Sequence, residues 1–253
     1  MHFDKFLKDM APLASMVLAN AARGCSEKAG FKTSGKEAVS LAELDLSGDA
    51  PHAVNLVGPD IVIITKGNEF TITLECDTDS RDQIRFMLED GILSILRDGS
   101  NPAAAHPATI NVTIPKARKL ILAGSGTIRS TGLAKKAEIT IAGSGQVQTS
   151  KLKLERLEIS ILGTGTYHGS GVVQKLRVTL AGSGDADMAA LKTEEAKIAI
   201  IGSGNSILDS DGEVHAKIMG SGNVTVRGNA RCKVKSFGSG TLVCERGETG
   251  KSG

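Results

Sequence analysis

From residue 119 onward, apolar and polar residues alternate with a period of two, stop at a glycine pair, and begin again. Gly-Ser-Gly, once Gly-Thr-Gly, opens at Gly124, Gly143, Gly163, Gly182, Gly202, Gly220 and Gly238, in steps of 19, 20, 19, 20, 18 and 18. The second glycines of the pairs are Gly126, Gly145, Gly165, Gly184, Gly204, Gly222 and Gly240. A fixed period of this size predicts a stacked repeat. Before each pair, one column reads Leu120, Ile139, Ile159, Val178, Ile198, Ala216, Val234 and the next reads Leu122, Ile141, Ile161, Leu180, Ile200, Ile218, Ser236. Between and ahead of them come charged or polar residues, such as Lys119, Glu138, Glu158, Arg177, Lys197, His215 and Lys233. Alternation of this kind predicts a strand with one buried face. A second short strand follows each pair, with Ile128, Val147, Tyr167, Ala186, Val224 and Leu242 inward; the fifth repeat has Ser206 at this position, with Ile207 and Leu208 adjacent, which predicts a register irregularity at that rung.

The glycine pairs are read as the structural corners, because glycine reaches positive φ at little cost and lets stacked backbones approach closely. A strand, glycine turn, strand unit also suits a hairpin. Like residues in every column favour repeats lying directly over one another, and so a single-stranded parallel β-helix, all-β, with about seven regular rungs of 18–20 residues in a rod of roughly 34 Å. A nonapeptide calcium array and a hexapeptide acyltransferase helix are excluded, since neither spacing is present.

Upstream, residues 41–118 carry strand-like runs (54–57, 61–65, 70–75, 84–88, 92–96 and 109–114) separated by turn signals such as Gly58-Pro59-Asp60 and Asp90-Gly91. They are expected to form irregular first rungs with a hairpin or two that close one end of the rod. Residues 98–108 are expected to be a surface excursion. The chain thus divides into 1–30, 41–118, the regular β-helix 119–246, and a flexible tail 247–253, where Gly-Glu-Thr-Gly-Lys-Ser only mimics a phosphate loop. In residues 1–30, Phe3, Phe6, Leu7, Met10, Leu13, Val17 and Ala21 share one face of an amphipathic helix. A cap on the solenoid, a degenerate leader and a membrane-surface segment all remain open for it.

Composition agrees with a narrow solenoid: of 253 residues, 30 are glycine, one is tyrosine and none is tryptophan. A formal charge of +2, with no basic run or aromatic platform, gives no reason to expect nucleic acid. Cys25, Cys76, Cys232 and Cys244 have no metal-type spacing, so buried free thiols are expected, with a Cys232–Cys244 bridge as the alternative.

Several stretches carry a resemblance: Leu44-Asp45-Leu46-Ser47-Gly48, the strand and turn from Val57 to Gly67, Asp90-Gly91-Ile92-Leu93-Ser94-Ile95, Val112-Thr113-Ile114-Pro115, and the train from Leu122-Ala123-Gly124-Ser125-Gly126 onward. In that order, over residues 41 to 246, they resemble the putative auto-transporter adhesin head GIN domain family of bacteria. The resemblance implies a β-helical fold, an adhesion-type role in the cell envelope and no catalytic residues. Against a secreted location, Asp4, Lys5, Lys8 and Asp9 leave the start without net positive charge and Arg23 precedes Cys25, so a cytoplasmic location stays open.

Asp185, Asp187, Asp209 and Asp211 could cluster on adjacent rungs, with no matched Lys or Arg between them, to bind calcium or act as acid and base. His168 and His215 are expected to point outward. Lys197, Lys217, Lys233, Lys235, Arg227 and Arg231 gather toward the C-terminal rungs, as solubilising edge charge or for an anionic polymer. No catalytic residue, metal or cofactor is expected. The leading expectation is a non-enzymatic structural or adhesive module of the envelope that presents an extended face to a protein or glycan. A self-associating scaffold, hence a homo-oligomer, and a carbohydrate-active enzyme are the alternatives. Membrane contact is expected only through the N-terminal helix.

Overall fold

The computed structural model describes residues 32–33, 36–98 and 106–245. The expected N-terminal helix, most of the 98–108 excursion and the 247–253 tail lie outside the described residues. After a two-residue pairing of β1 (Lys32–Thr33) with β2 (Lys36–Glu37), the chain forms β3 (Ala53–Val57), β4 (Ile61–Lys66) and β5 (Thr71–Glu75). A single helical turn, α1 (Thr78–Arg81), leads to β6 (Ile84–Glu89), β7 (Ile92–Arg97), β8 (Thr109–Ile114), β9 (Lys119–Gly124), β10 (Thr127–Thr131) and β11 (Lys136–Gly143). Four long strands that bend around corners follow: β12 (Gln146–Gly163), β13 (Thr166–Gly182), β14 (Asp185–Gly202) and β15 (Asn205–Gly220). The described chain ends with β16 (Asn223–Arg227), β17 (Arg231–Phe237) and β18 (Thr241–Glu245).

From β9 onward every ladder is parallel and each glycine pair lies over the last, as in Gly124↔Gly143↔Gly163↔Gly182↔Gly202↔Gly220. The rod is a β-solenoid. Within a rung, the inward alternation slips phase at 150–151, at 155–156 and at the glycine pair, which gives three sides: a first that ends at the pair (as 156–163), a second that follows it (as 146–150) and a third that leads to the next rung (as 151–155). The columns ahead of the pairs are buried from Leu120 through Ala216 and from Leu122 through Ile218. Val234 and Ser236 are exposed, because no rung among the described residues covers theirs. Ser206 keeps register, opposite Ala186 and Val224, and is buried with its hydroxyl unpartnered. The expected irregularity is present in this rung's pairing with β14: the register breaks opposite Leu208–Asp209, between Met188 and Lys192, and again between Thr193 and Glu195, where the longer β14 repeat must match a shorter β15 repeat.

Space and sequence differ at the N-terminal end. β3 and β4 are sandwiched between the β7/β8 rung on one side and the β9/β10 rung on the other, all parallel. Outside β7 and β8 lie β6 and β5, both antiparallel to their neighbours. The outermost layer thus runs in reverse, and Val39 bridges Phe86 beyond it through bonds of 2.9 and 2.7 Å. A reversed layer interrupts parallel stacking at this end. At the other end, Val234, Phe237 and Val243 are 48 %, 53 % and 49 % exposed.

The lone tyrosine explains a glycine outside the corners. Tyr167 is fully buried, its phenol 2.6 Å from the Thr149 hydroxyl, and a Cβ on Gly169 would come within 2.6 Å of that phenol oxygen. Burial raises the phenol's pKa, only partly offset by Thr149. Tyr167→Phe strands the Thr149 hydroxyl and is expected to cost about 1–3 kcal/mol in denaturant titrations, with much of that recovered by adding Thr149→Val. The unfolded phenol ionises near its ordinary value of 10.0 while the folded one stays protonated. The tyrosine's contribution is therefore intact below that pH and is lost as pH rises above it, so the parent loses stability more steeply there than Tyr167→Phe does.

Candidate binding surfaces

Each corner glycine that opens a pair has φ between 110° and 127°. The residue after it stays in solvent, and its N–H bonds the glycine carbonyl one rung earlier: Ser144 to Gly124 at 3.1 Å, Thr164 to Gly143 at 3.0 Å, Ser183 to Gly163, Ser203 to Gly182 and Ser221 to Gly202 at 2.9 Å. A row of hydroxyls therefore lines one edge of the rod. On the adjacent side the registered column Lys119↔Glu138↔Glu158↔Arg177↔Lys197↔His215↔Lys233 faces outward.

The four aspartates are not brought together. Asp187 lies beside His168 and Ile207 in the ladder, whereas Asp209 lies beside Lys192 and Arg227. Asp185 accepts from Asn205 N–H at 2.9 Å and from its side-chain amide at 3.0 Å. Contrary to the sequence reading, a matched cation is present: Lys192 Nζ is 2.6 Å from Asp211. That hydrogen bond raises the lysine's pKa and, joined by the Asn229 N–H, lowers the aspartate's. Among the described residues no group of three or more His, Cys, Asp or Glu side chains could hold a metal ion. His168 and His215 are partly exposed, each 3.6 Å from an acid, Asp187 and Glu213 respectively. Of the C-terminal cations, Lys197 pairs with Glu195 at 2.7 Å, lowering that carboxyl's pKa, and Arg227 lies 3.8 Å from Glu245.

Two concavities interrupt the flanks. One, of about 1010 Å³, lies at the reversed end between residues 38–43 and Thr73, Leu74, Arg85 and Phe86. Glu43 there caps Ser40, accepting from its hydroxyl at 2.7 Å and its N–H at 3.1 Å, which lowers the carboxyl's pKa. The other, about 850 Å³, sits where the second side turns into the third. Lys66, Lys116, Arg118, Lys136, Lys151 and Lys153 rim it, and Pro115, Leu133 and Ala134 floor it.

The expectation of free thiols is overturned at the rod's end. Cys232 and Cys244 form a disulfide with Cα atoms 6.8 Å apart, while Cys76 is free and partly buried. Twelve residues do not equal one rung, but they do equal two of its three sides. The bond closes the last rung where earlier rungs use their third side.

A family model described as putative auto-transporter adhesin, head GIN domain, matches residues 50–230. The chain belongs to this family. Its GIN domain begins just before β3 and takes in six of the seven glycine corners. Three solved structures share the fold. A putative adhesin from Bacteroides fragilis NCTC 9343 has a TM-score of 0.70 at 15% identity, over 78% of this chain and 93% of that one. A putative lipid binding protein from Parabacteroides distasonis ATCC 8503 has 0.65 at 19%, over 78% and 93%. A putative adhesin from Parabacteroides merdae ATCC 43184 has 0.57 at 18%, over 78% and 93%. No curated protein matches the chain.

Within this GIN domain, the cations of the flank groove are what sequence reasoning missed. They are scattered over residues 66 to 153 and form no run. The available signal was columnar: Lys66, Lys116, Lys135-Lys136 and Lys151-x-Lys153 lie at or just past the ends of second-side strands, although the rung that carries Lys66 stacks between those of Lys116 and Lys135.

Proposed function

We propose that this GIN-domain chain is a non-enzymatic binding module of the bacterial envelope, held outside the cytoplasm, whose rod presents a registered charged face to a protein. The column from Lys119 to Lys233 carries the reading: outward charges of both signs are fixed one rung apart on a continuous sheet. A fixed arrangement of charge, two acids flanked by cations, suits a partner of complementary pattern. A glycan partner finds little support, since the chain has 3% aromatic residues to stack on sugar rings. The Cys232–Cys244 bond supports an oxidising compartment. Charge reversal at Arg177 and Lys197 is expected to abolish capture of the envelope partner in pull-downs from native cells, with glycan arrays blank. Retention of the partner by that variant would refute the reading.

For the compartment, alkylation of native cells under denaturing, non-reducing conditions is expected to label Cys76 and to leave Cys232 and Cys244 unlabelled until reduction. Labelling of both before reduction would place the chain in a reducing compartment. Cys232→Ser is expected to cost about 3 kcal/mol by the loop-entropy relation, read as a lower melting temperature.

The exposed Val234, Phe237 and Val243 support a second reading, self-association. Because the other end is reversed, it would stop at pairs joined through their C-terminal rungs. A concentration-independent monomer in sedimentation would remove it.

A further inference from the structure

Some of the rod's cations are neutralised from a neighbouring rung: Lys119 by Glu138 at 3.3 Å, Lys175 by Glu195 at 3.7 Å and Lys192 by Asp211 at 2.6 Å. The flank groove gathers six that are not. Lys66 closes β4, Lys116 and Arg118 follow β8, Lys136 opens β11, and Lys151 and Lys153 lie in β12. All six are exposed, and none has an ion-pair partner among the described residues. Glu155 is the acid in the lining, and Lys135 holds it at 3.4 Å. Stacking like charges on successive rungs is unfavourable unless an outside anion neutralises them.

Two more observations define that anion. The floor is apolar, formed by Pro115, partly buried Leu133 and Ala134. Five of the six rim cations are lysines, which lay aliphatic stems along apolar surface while the ammonium reaches outward. A charged rim over an apolar floor matches an amphiphile, and the lining holds no aromatic ring for a sugar. Lys151 also has φ 56°, in the bulge between Thr149 and Leu152. Glycine would take this left-handed backbone position without strain, whereas the lysine there adds a cation to the rim.

We propose that this groove binds the phosphate headgroup of an anionic phospholipid, with Leu133 and Pro115 against the first methylenes, so that the rod rests on a membrane by its flank. The contact is independent of the N-terminal segment and of the charged face proposed above for a protein.

The test is co-sedimentation of the full chain with phosphatidylcholine vesicles, with and without phosphatidylglycerol. Binding is expected only with phosphatidylglycerol and should weaken as salt rises. The triple variant Lys116→Glu, Lys136→Glu, Lys153→Glu should bind at least about a hundredfold more weakly, and the C-terminal control Lys233→Glu, Lys235→Glu should bind as the parent does. Lys151→Gly, which relaxes the backbone and removes one charge, should raise the melting temperature while weakening vesicle binding about fivefold. Equal binding to both vesicle types, full binding by the triple variant, or capture of soluble dextran sulfate without vesicle binding would each overturn the proposal.

Discussion

Gly202→Ala is expected to destabilise the rod by about 3–5 kcal/mol, lowering its melting temperature by roughly 10 °C. Two costs add. Gly202 sits at φ +124°, which an L side chain rarely adopts. A Cβ there would also lie 2.2 Å from the carbonyl oxygen of Gly182, one rung below. That oxygen cannot retreat, because it accepts the Ser203 N–H at 2.9 Å, and neighbouring rungs fix the backbone on both sides. Gly132→Ala separates the two costs. Gly132 has φ +88° with nothing within 4 Å of its would-be Cβ, so only the dihedral penalty applies, about 1–2 kcal/mol. Thermal melts of both variants check the difference. Equal losses would mean that the corners need glycine for its dihedrals alone and not for the close approach of stacked rungs.

Asp60→Ala should cost about 3–5 kcal/mol, because it removes one partner of a buried ion pair. Asp60 is completely buried. Its carboxylate accepts from Arg97 through Nε at 3.0 Å and through Nη2, and also from the Ala108 N–H at 2.9 Å. Without it, a guanidinium only 9% exposed keeps the His106 carbonyl at 3.1 Å as its remaining partner. Its Nη1 already lacks one. The double variant Asp60→Ala, Arg97→Leu is expected to recover most of the loss, since it leaves no stranded charge. Denaturant titration of the single and double variants measures this. A double variant as unstable as the single would show that the loss comes from the Ala108 N–H and not from the guanidinium.

Asp60 also shows where sequence reading stops. Gly58-Pro59-Asp60 reads as a turn, and in the fold it is a corner: Gly126 N–H bonds Gly58 at 2.9 Å, and Thr127 N–H bonds Asp60 at 2.9 Å. The third position carries a carboxylate because the next rung outward, β7 and β8, has no glycine pair and leaves Arg97 and Ala108 to be satisfied there. No period announces this, so the placement of β3 and β4 between two later strands was hidden as well. The reversed β5 and β6 were legible only as a hairpin that closes one end.

The sequence alone determined the regular solenoid, its corners, its inward columns and its outward charges. A repeat that stacks on itself puts like-numbered residues next to one another, so spacing along the chain becomes position in space. The tertiary structure alone decided what meets around the tube or at its ends. Cys232 reaches Cys244 because two sides bring the chain back to a shared corner, and Lys192 reaches Asp211 across one rung. The lysines of the flank groove gather because unequal loops end at one corner. Those encounters depend on where each rung closes, which the inserted residues of individual repeats set and the common period does not.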